Sequence, residues 1–210
     1  METVTLTING NEVKAEKGAT ILKAALDAGV YIPALCYHPD LPPAPRTKVN
    51  DQVYRGGELV KGNNPESEGF EGCQLCVVEI RGVEGFPTAC DTPATDGMVI
   101  QTNTEQVQNL RRTNLAKILA KHPHACLVCA EREGCSREPC SLNVPVNERC
   151  CIKFGRCELQ KVAEYIGIEE GITRYVFRNL PVEESPLFVR DHNLCIGCGR
   201  CVRACRDLRG

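Results

Sequence analysis

The chain has 210 residues, of which 15 are cysteines and only 5% are aromatic, with no tryptophan. Lys and Arg number 25 against 27 Asp and Glu, with both signs interspersed, so the sequence lacks the basic patch that nucleic-acid binding requires. The N-terminus (METVTLTING) lacks the apolar segment of a signal peptide, and no apolar run approaches the roughly 18 residues of a membrane span, which excludes direct membrane insertion. We therefore expect a cytoplasmic protein with reduced cysteines, whose thin apolar cores are cross-linked by metal clusters.

The first predicted elements are two strands, VTLTI and EVKAE, joined by Asn9-Gly10, a dipeptide typical of tight hairpin turns. A helix follows over ILKAALDAG, because Ile21, Leu22 and Ala25 recur on one helical face and Gly29 suits its C-terminus. The order is hairpin, helix, then Cys36.

The first cysteine group has the spacing C-x36-C-x2-C-x13-C and consists of Cys36, Cys73, Cys76 and Cys90. Four thiolates, two of them paired as C-x2-C on one loop, are the ligand set of a [2Fe-2S] cluster. CVVEI and FPTAC predict a second hairpin around this group, and MVIQT predicts a last strand. The alternative is four buried cysteines without a metal.

These segments resemble a known family. The hairpin, the helix ending in GVYIPALCYHP, and then CQLCVVEI, PTAC and TDGMVIQT are similar to the plant-type ferredoxin domain that opens the large iron-sulfur subunit of respiratory complex I. The same domain opens the diaphorase small subunit of NAD-reducing hydrogenases, iron-only hydrogenases and NAD-linked formate dehydrogenases. The resemblance implies that the four cysteines are [2Fe-2S] ligands, with an insertion at about residues 42 to 72 that these relatives lack.

The next predicted helix begins with a capping box at Thr102 and Glu105 and runs to about Lys121. Behind it, His122, Cys126 and Cys129 form H-x3-C-x2-C. This spacing resembles the second signature of the same family, in which a histidine and three cysteines hold a [4Fe-4S] cluster.

The third thiolate of this second site has two candidates. Cys135 has the family spacing, C-x5-C from Cys129, whereas Cys157 has the family context, GRCELQKVAEYIG, at the start of a helix. We favour Cys157, because loops accept insertions while a ligand at a helix start must keep its direction. Cys135 remains the alternative.

An insertion at about residues 130 to 156 contains four further cysteines: Cys135, Cys140, Cys150 and Cys151. Four soft thiolates suit an additional iron-sulfur cluster or a structural zinc ion. Adjacent side chains of an extended chain point in opposite directions, so the pair at 150 and 151 leaves open that some of the four are packing residues.

The last group, Cys195, Cys198, Cys201 and Cys205, follows a predicted irregular linker and has the spacing C-x2-C-x2-C-x3-C. This is the bacterial ferredoxin run, in which three cysteines hold one [4Fe-4S] cluster and the fourth reaches another. Relatives continue with a second run, whereas this sequence stops at Gly210. We therefore expect either a fragment of a longer polypeptide or a fourth ligand from elsewhere.

Together these patterns predict an α+β protein of three modules. Residues 1–103 form a plant-type ferredoxin (β-grasp) domain, residues 104–170 a mostly helical His/Cys domain, and residues 171–210 a linker with the first half of a bacterial-type ferredoxin domain. The expected cofactors are one [2Fe-2S] cluster and one to three [4Fe-4S] clusters.

The predicted function is electron transfer between a flavin or NAD(H)-binding subunit and a further redox or catalytic subunit. The sequence contains no G-x-G-x-x-G, P-loop or recognisable catalytic nucleophile, which leaves the enzyme class open. One alternative is the electron-input part of a longer formate dehydrogenase or hydrogenase subunit, and a remote one is a zinc-binding interaction scaffold.

Overall fold

The structure is a computed structural model that describes residues 2–43, 52–55, 58–61, 71–124, 157–168, 172, 175 and 179–208. Six predicted ligands lie outside the described residues: Cys126, Cys129, Cys135, Cys140, Cys150 and Cys151. The described chain mixes helices with sheets, which confirms the coarse fold class. None of its helices is long and apolar enough to cross a membrane.

The elements have the following bounds. The strands are β1 (Thr3–Ile8), β2 (Asn11–Glu16), β3 (Gln52–Arg55), β4 (Glu58–Lys61), β5 (Glu79–Ile80), β6 (Val99–Gln101), β7 (Val182–Glu184) and β8 (Val189–Asp191). The α-helices are α1 (Ile21–Asp27), α2 (Glu105–Leu119), α3 (Glu158–Ile166) and α4 (Arg200–Arg203).

A four-stranded sheet has the order β2-β1-β6-β5. The predicted first hairpin is confirmed, since β1 pairs antiparallel with β2 around Asn9 (φ 52°) and Gly10 (φ 85°), both in the left-handed conformation that such turns need. Strand β6 pairs parallel with β1 and antiparallel with β5. The first core lies between this sheet and α1, whose Ile21, Leu22 and Ala25 are completely buried, as their helical spacing predicts.

The start of α2 differs from the prediction. Its N-cap is Thr104, whose hydroxyl accepts a hydrogen bond from the Val107 N–H (3.4 Å), so the capping box predicted at Thr102 is wrong. Thr102 is occupied elsewhere: its hydroxyl accepts from Asn9 Nδ2 (2.8 Å), and its N–H donates to Asn9 Oδ1 (2.9 Å). Thr102 therefore joins the end of β6 to the β1–β2 turn through hydrogen bonds instead of starting the helix.

A second apolar core forms where α2 and α3 meet. It contains Leu115 and Leu119 of α2 together with one face of α3, which consists of Leu159, Val162, Ala163 and Ile166. Leu35 and Leu75, which come from the loops around the first cysteine group, complete it. The two helices are thereby packed against the first predicted cluster site.

The insertion at 42–72 and the segment predicted to be an irregular linker each contain a hairpin. Strands β3 and β4 pair antiparallel within the insertion at 42–72, and β7 pairs antiparallel with β8 in the predicted linker. The irregular structure predicted for 182–191 is wrong. Pro181 and Pro186 exclude a helix there, but they are compatible with the two short strands β7 and β8. The Gly-Gly pair between VYR and ELVK is typical of a two-residue hairpin turn and could have predicted the first of these hairpins.

Candidate functional site

Cys36 follows a buried loop after α1. Gly29 (φ 74°) allows the turn out of α1, and the Val30 N–H donates to the Ala25 carbonyl (2.8 Å). Leu35 and Cys36 are each 1% exposed. The Cys36 thiol is therefore held inside the protein.

Cys73 and Cys76 lie on a loop with two left-handed residues, Gly72 (φ 82°) and Gln74 (φ 54°). A non-glycine residue in this conformation is strained and needs support from its surroundings. Gln74 has that support, because its side-chain amide donates to the Glu71 carbonyl (2.6 Å).

The same loop is fastened to its neighbours. Asn114 on α2 donates through Nδ2 to the Gln74 carbonyl (2.9 Å), and the Leu35 N–H donates to the Cys73 sulfur (3.4 Å). The Cys73 loop is thus joined to α2 and to the Cys36 loop.

Cys76 and Cys90 lie on two paired segments. The Ala89 N–H donates to the Cys76 carbonyl (2.9 Å), and the Val78 N–H donates to the Pro87 carbonyl (3.0 Å). The predicted second hairpin is present in this pairing, although its regular strand is confined to β5. The residues Cys76 and Cys90 are 1% and 3% exposed.

The four thiols of the first group are linked by side-chain contacts in the order Cys73, Cys36, Cys90, Cys76. The hydrogen bond with Cys36, together with burial, holds the pKa of the Cys73 thiol well above its usual range. For Cys90, the contact with Cys36 lowers the pKa, but the contact with Cys76 and burial raise it to about 12. For Cys36, the contact with Cys73 lowers the pKa, while the contact with Cys90 and burial raise it by more. Bound iron would replace these thiol protons, since thiolates are the ligating form.

This donor set fits a two-iron cluster. In a [2Fe-2S] cluster four thiolates share two irons, and the linked thiols of Cys36, Cys73, Cys76 and Cys90 supply that number of ligands.

Two buried arginines that donate to these loops from helices, Arg111 of α2 and Arg203 of α4, were not predicted from the sequence. Arg111 and Arg203 are each 0% exposed. Arg111 Nη2 donates to the Val77 carbonyl (2.8 Å), next to Cys76. No local pattern predicts this placement, because arginine is ordinarily a surface residue and its burial depends on distant segments.

Arg203 lies in the last cysteine group but contacts the first. Its Nη1 donates to the Pro42 carbonyl (2.6 Å), and its Nη2 donates to the Cys36 carbonyl. The C-terminal motif is therefore attached directly to the Cys36 loop.

His122, the predicted imidazole ligand, is 5% exposed just beyond α2. Its Nδ1 donates to the Pro123 carbonyl (2.8 Å), which leaves the lone pair of the neutral ring on Nε2, as in many metal-binding histidines. His124 is equally buried, and its Nδ1 donates to the carbonyls of Leu119 (3.0 Å) and His122 (3.2 Å). The choice of His122 as ligand therefore depends on the family spacing.

Cys157 is the N-cap residue of α3, where its sequence context predicts it. The adjacent Glu158 forms a two-pronged ion pair with Arg200 of the C-terminal motif, with distances of 2.6 Å and 2.8 Å. This pair joins the start of α3 to the last cysteine group.

The last cysteine group lies near the surface. Cys195, Cys201 and Cys205 are exposed and Cys198 is half-buried. The loop before α4 turns at Gly197 (φ 70°) and Gly199 (φ 66°). The preceding turn is held by the buried Asn193, which exchanges hydrogen bonds with the backbone of Leu180 (2.8 and 2.9 Å).

The second apolar core borders all three cysteine groups. Cys73 of the first group, Cys157 of the second and Ile196, next to Cys195, pack against it. A cavity of about 240 Å³ is lined by Cys73 and Cys198, by apolar side chains including Leu35, and by polar ones including Lys117. The three groups therefore border one shared core.

Comparison with known families agrees with this arrangement. Residues 1–51 and 55–105, which include the first cysteine group, match a family of 2Fe-2S iron-sulfur cluster binding domains, and residues 188–207 match a 4Fe-4S binding domain. The first 105 residues belong to the family of 2Fe-2S iron-sulfur cluster binding domains, and the resemblance predicted from the sequence is confirmed. Both predicted cluster types are thereby supported.

The similarity to individual relatives extends over nearly the entire chain. The chain is 32% identical to a subunit of the NADP-reducing hydrogenase of Solidesulfovibrio fructosivorans, over 100% of this chain and 28% of that protein. It is 30% identical to a component of the NADH-quinone oxidoreductase of Rhizobium meliloti, over 99% of this chain and 19% of the relative. Among solved structures, the NAD+-reducing [NiFe]-hydrogenase in its H2-reduced state has a TM-score of 0.65 and 27% identity, covering 98% of this chain and 67% of that one. The chain thus corresponds to a minor part of these curated relatives.

Proposed function

We propose that the chain is an electron-transfer module of a larger oxidoreductase. It carries single electrons between a flavin or NAD(H)-binding subunit and a further redox or catalytic subunit. The named relatives include an NADP-reducing hydrogenase and an NADH-quinone oxidoreductase, which supports a nicotinamide-linked donor or acceptor. Ligating thiols require a reducing compartment, which supports a cytoplasmic location.

The observation that carries this proposal is the shared apolar core. Cys73, Cys157 and Ile196 belong to three different cysteine groups and pack against the same cluster of side chains. Clusters bound at these groups would be neighbours separated by packed protein rather than by bulk water. Such a series is what a chain of one-electron carriers requires.

The proposed ligands are those of the family resemblance. Cys36, Cys73, Cys76 and Cys90 hold the [2Fe-2S] cluster, and their linked thiols, three of them buried, support it. His122, Cys126, Cys129 and Cys157 hold a [4Fe-4S] cluster, with Cys135 as the alternative to Cys157. Cys195, Cys198 and Cys201 bind a second [4Fe-4S] cluster, and Cys205 belongs to the same motif.

The proposed modules keep the boundaries given above. The strand order β2-β1-β6-β5, with its parallel pair in the middle, supports a ferredoxin-like β-grasp domain at residues 1–103. The α2 and α3 pair supports a helical second module, and the match at 188–207 supports a ferredoxin motif in the third. For Cys135, Cys140, Cys150 and Cys151 we retain the hypothesis of an additional cluster or zinc.

A second candidate is the electron-input part of a longer catalytic subunit. It is favoured by the low share of each curated relative that the chain covers, 28% and 19% for the two named above. Reading the gene beyond the codon of Gly210 distinguishes a catalytic continuation from a separate subunit.

The experiment that tests the proposal is metal and sulfide analysis of the anaerobically purified chain, followed by paramagnetic resonance during stepwise reduction. We expect about ten irons for one [2Fe-2S] and two [4Fe-4S] clusters, or about fourteen if the insertion binds another. A colourless chain that contains zinc and no reducible signal would refute electron transfer and favour the interaction scaffold. Subunits that co-purify with the chain identify its partners.

The two buried histidines provide a matched pair of variants. If His122 is the ligand, His122→Ala abolishes the [4Fe-4S] signal of the second site, whereas His124→Ala retains it. His122→Cys restores the cluster with a lower reduction potential, because a thiolate adds negative charge to it. Loss of the signal in His124→Ala alone would reassign the ligand.

A further inference from the structure

Two positive charges are buried beside the first thiol group without an evident counter-ion. Arg111 and Arg203 are both 0% exposed, and among the described residues neither forms an ion pair with a carboxylate. Nε of each, and Nη1 of Arg111, also lack a hydrogen-bond partner there. Removing a guanidinium from water is costly unless an opposite charge compensates it, so these residues indicate a missing negative charge.

The contacts of the two arginines show where that charge belongs. Arg203 donates to the carbonyl of Cys36 itself, and Arg111 donates to the carbonyl of Val77, the residue after Cys76. Both guanidinium groups thus reach the backbone of loops that present the first thiol group.

Other charged groups near Arg203 and Arg111 do not replace this counter-charge. Asp207 feels the charge of Arg203, but its carboxylate pairs with Arg206 at 2.5 Å. The groups that interact electrostatically with Arg111 are Cys76 and the phenols of Tyr31 and Tyr165, whose rings meet edge to face at 4.7 Å. Of these, Cys76 is the group that becomes negative when iron binds.

We propose that Arg111 and Arg203 are the buried counter-charges of the [2Fe-2S] cluster at the first thiol group and raise its reduction potential. This inference depends on the ligand assignment in the proposed function. Four thiolates, two sulfides and two ferric ions sum to a net negative charge, and reduction of one ferric ion to ferrous adds one more. Fixed cations in a low-dielectric site stabilise the reduced form more strongly than the oxidised form, which raises the potential.

Arg203 adds a link between sites. It is the last residue of α4 and lies between Cys201 and Cys205, so the last cysteine motif also places a positive charge beside the first group.

The test is a potentiometric titration of the full chain, with dithionite as the one-electron donor and the paramagnetic signal of the reduced [2Fe-2S] cluster as the readout. Arg203→Gln and Arg111→Gln should each lower the ratio of reduced to oxidised cluster about tenfold at a fixed potential, a negative shift of about 59 mV for a one-electron couple. Arg203→Lys keeps the charge and should stay close to the wild type. Arg190→Gln removes an exposed arginine of the β7–β8 hairpin, whose partner is Glu183, and is the control with no expected shift.

The possible outcomes distinguish an effect of charge from an effect of geometry. Unchanged potentials in both glutamine variants overturn the proposal, as does an Arg203→Lys shift equal to that of Arg203→Gln, which would assign the effect to geometry instead of charge. If Arg203→Gln fails to hold a cluster, Arg111→Gln decides alone: a lowered potential supports the proposal and an unchanged one overturns it. A wild-type chain that binds no two-iron cluster refutes the proposed function itself, before any variant is compared.

Discussion

The first and last cysteine groups present the same thiol ligands in opposite surroundings. Cys36, Cys76 and Cys90 are between 1% and 3% exposed, whereas Cys195, Cys201 and Cys205 are exposed. The first group is positioned by a sheet, α1 and α2. The last is positioned by a glycine-rich loop, by Asn193 and by two arginines that reach other parts of the chain.

The two sites differ in what holds their ligands in place. At the first site, core packing holds the loops before any metal arrives. At the last site, few apolar side chains contribute, so cluster binding must provide more of the order. We therefore expect the first site to be robust and the last to depend on its cluster and its neighbours.

The largest expected effect comes from removing one ligand at either site. Cys76→Ala should abolish the [2Fe-2S] signal and leave the [4Fe-4S] signals, because one iron loses a thiolate that no exposed group can replace. Cys201→Ala should remove only the [4Fe-4S] signal of the last group and leave the [2Fe-2S] signal. Paramagnetic resonance of the reduced variants checks both, and a [2Fe-2S] signal that survives Cys76→Ala would remove Cys76 from the ligand set.

Thiol accessibility in the metal-free chain should follow the same division. Iodoacetamide should modify Cys195, Cys201 and Cys205 at least about tenfold faster than Cys36, Cys76 and Cys90, because buried thiols react only after local opening. Peptide mass spectrometry over time measures each rate. Equal rates for the two sets would show that the first site is not preformed.

The two regions should also differ in what a leucine contributes to stability. Leu75 is 0% exposed between Cys73 and Cys76. Its replacement by Ala should lower the free energy of unfolding by about 2–5 kcal/mol, because the smaller side chain leaves a cavity in the second core. Leu187, which is 91% exposed in the β7–β8 hairpin, is the matched control and should change stability by less than about 0.5 kcal/mol. Urea unfolding measures both. A similar loss for the two variants would contradict the packing described here.

The smallest effect concerns the ion pair that attaches the last group to α3. A double-mutant cycle of Glu158→Gln and Arg200→Gln should give a coupling energy of about 1 kcal/mol, since the pair is two-pronged but partly exposed. The single-contact pair of Arg190 and Glu183 (3.0 Å) should give less. A coupling no larger than that of this control would mean that Glu158 and Arg200 do not fasten the motif.

Features with local causes were predictable from the sequence. Asn9-Gly10 predicts its hairpin because few residues accept positive φ, and the spacing of Ile21, Leu22 and Ala25 predicts the buried face of α1. Cys157 starts its helix as GRCELQ indicates. The family resemblance, which comparison with known proteins confirms, likewise depends on short motifs.

Features with distant causes were not predictable. Thr102 and Thr104 are equally good caps by residue type, and the hydrogen bonds between Thr102 and Asn9, in the distant β1–β2 turn, leave the cap to Thr104. Arg203 appears in the motif as an ordinary surface cation, because nothing near it in sequence shows that Cys36 will lie against it. The clustering of the four thiols depends on the fold in the same way, and their role as ligands stays a prediction.

Mössbauer spectroscopy of the anaerobically purified, iron-enriched full chain tests the central claim most directly, because it resolves two-iron from four-iron clusters in one sample. We expect one two-iron component that disappears in Cys76→Ala, together with a four-iron component that diminishes in Cys201→Ala. A wild-type spectrum without a two-iron component, or one whose two-iron component persists in Cys76→Ala, would contradict this claim.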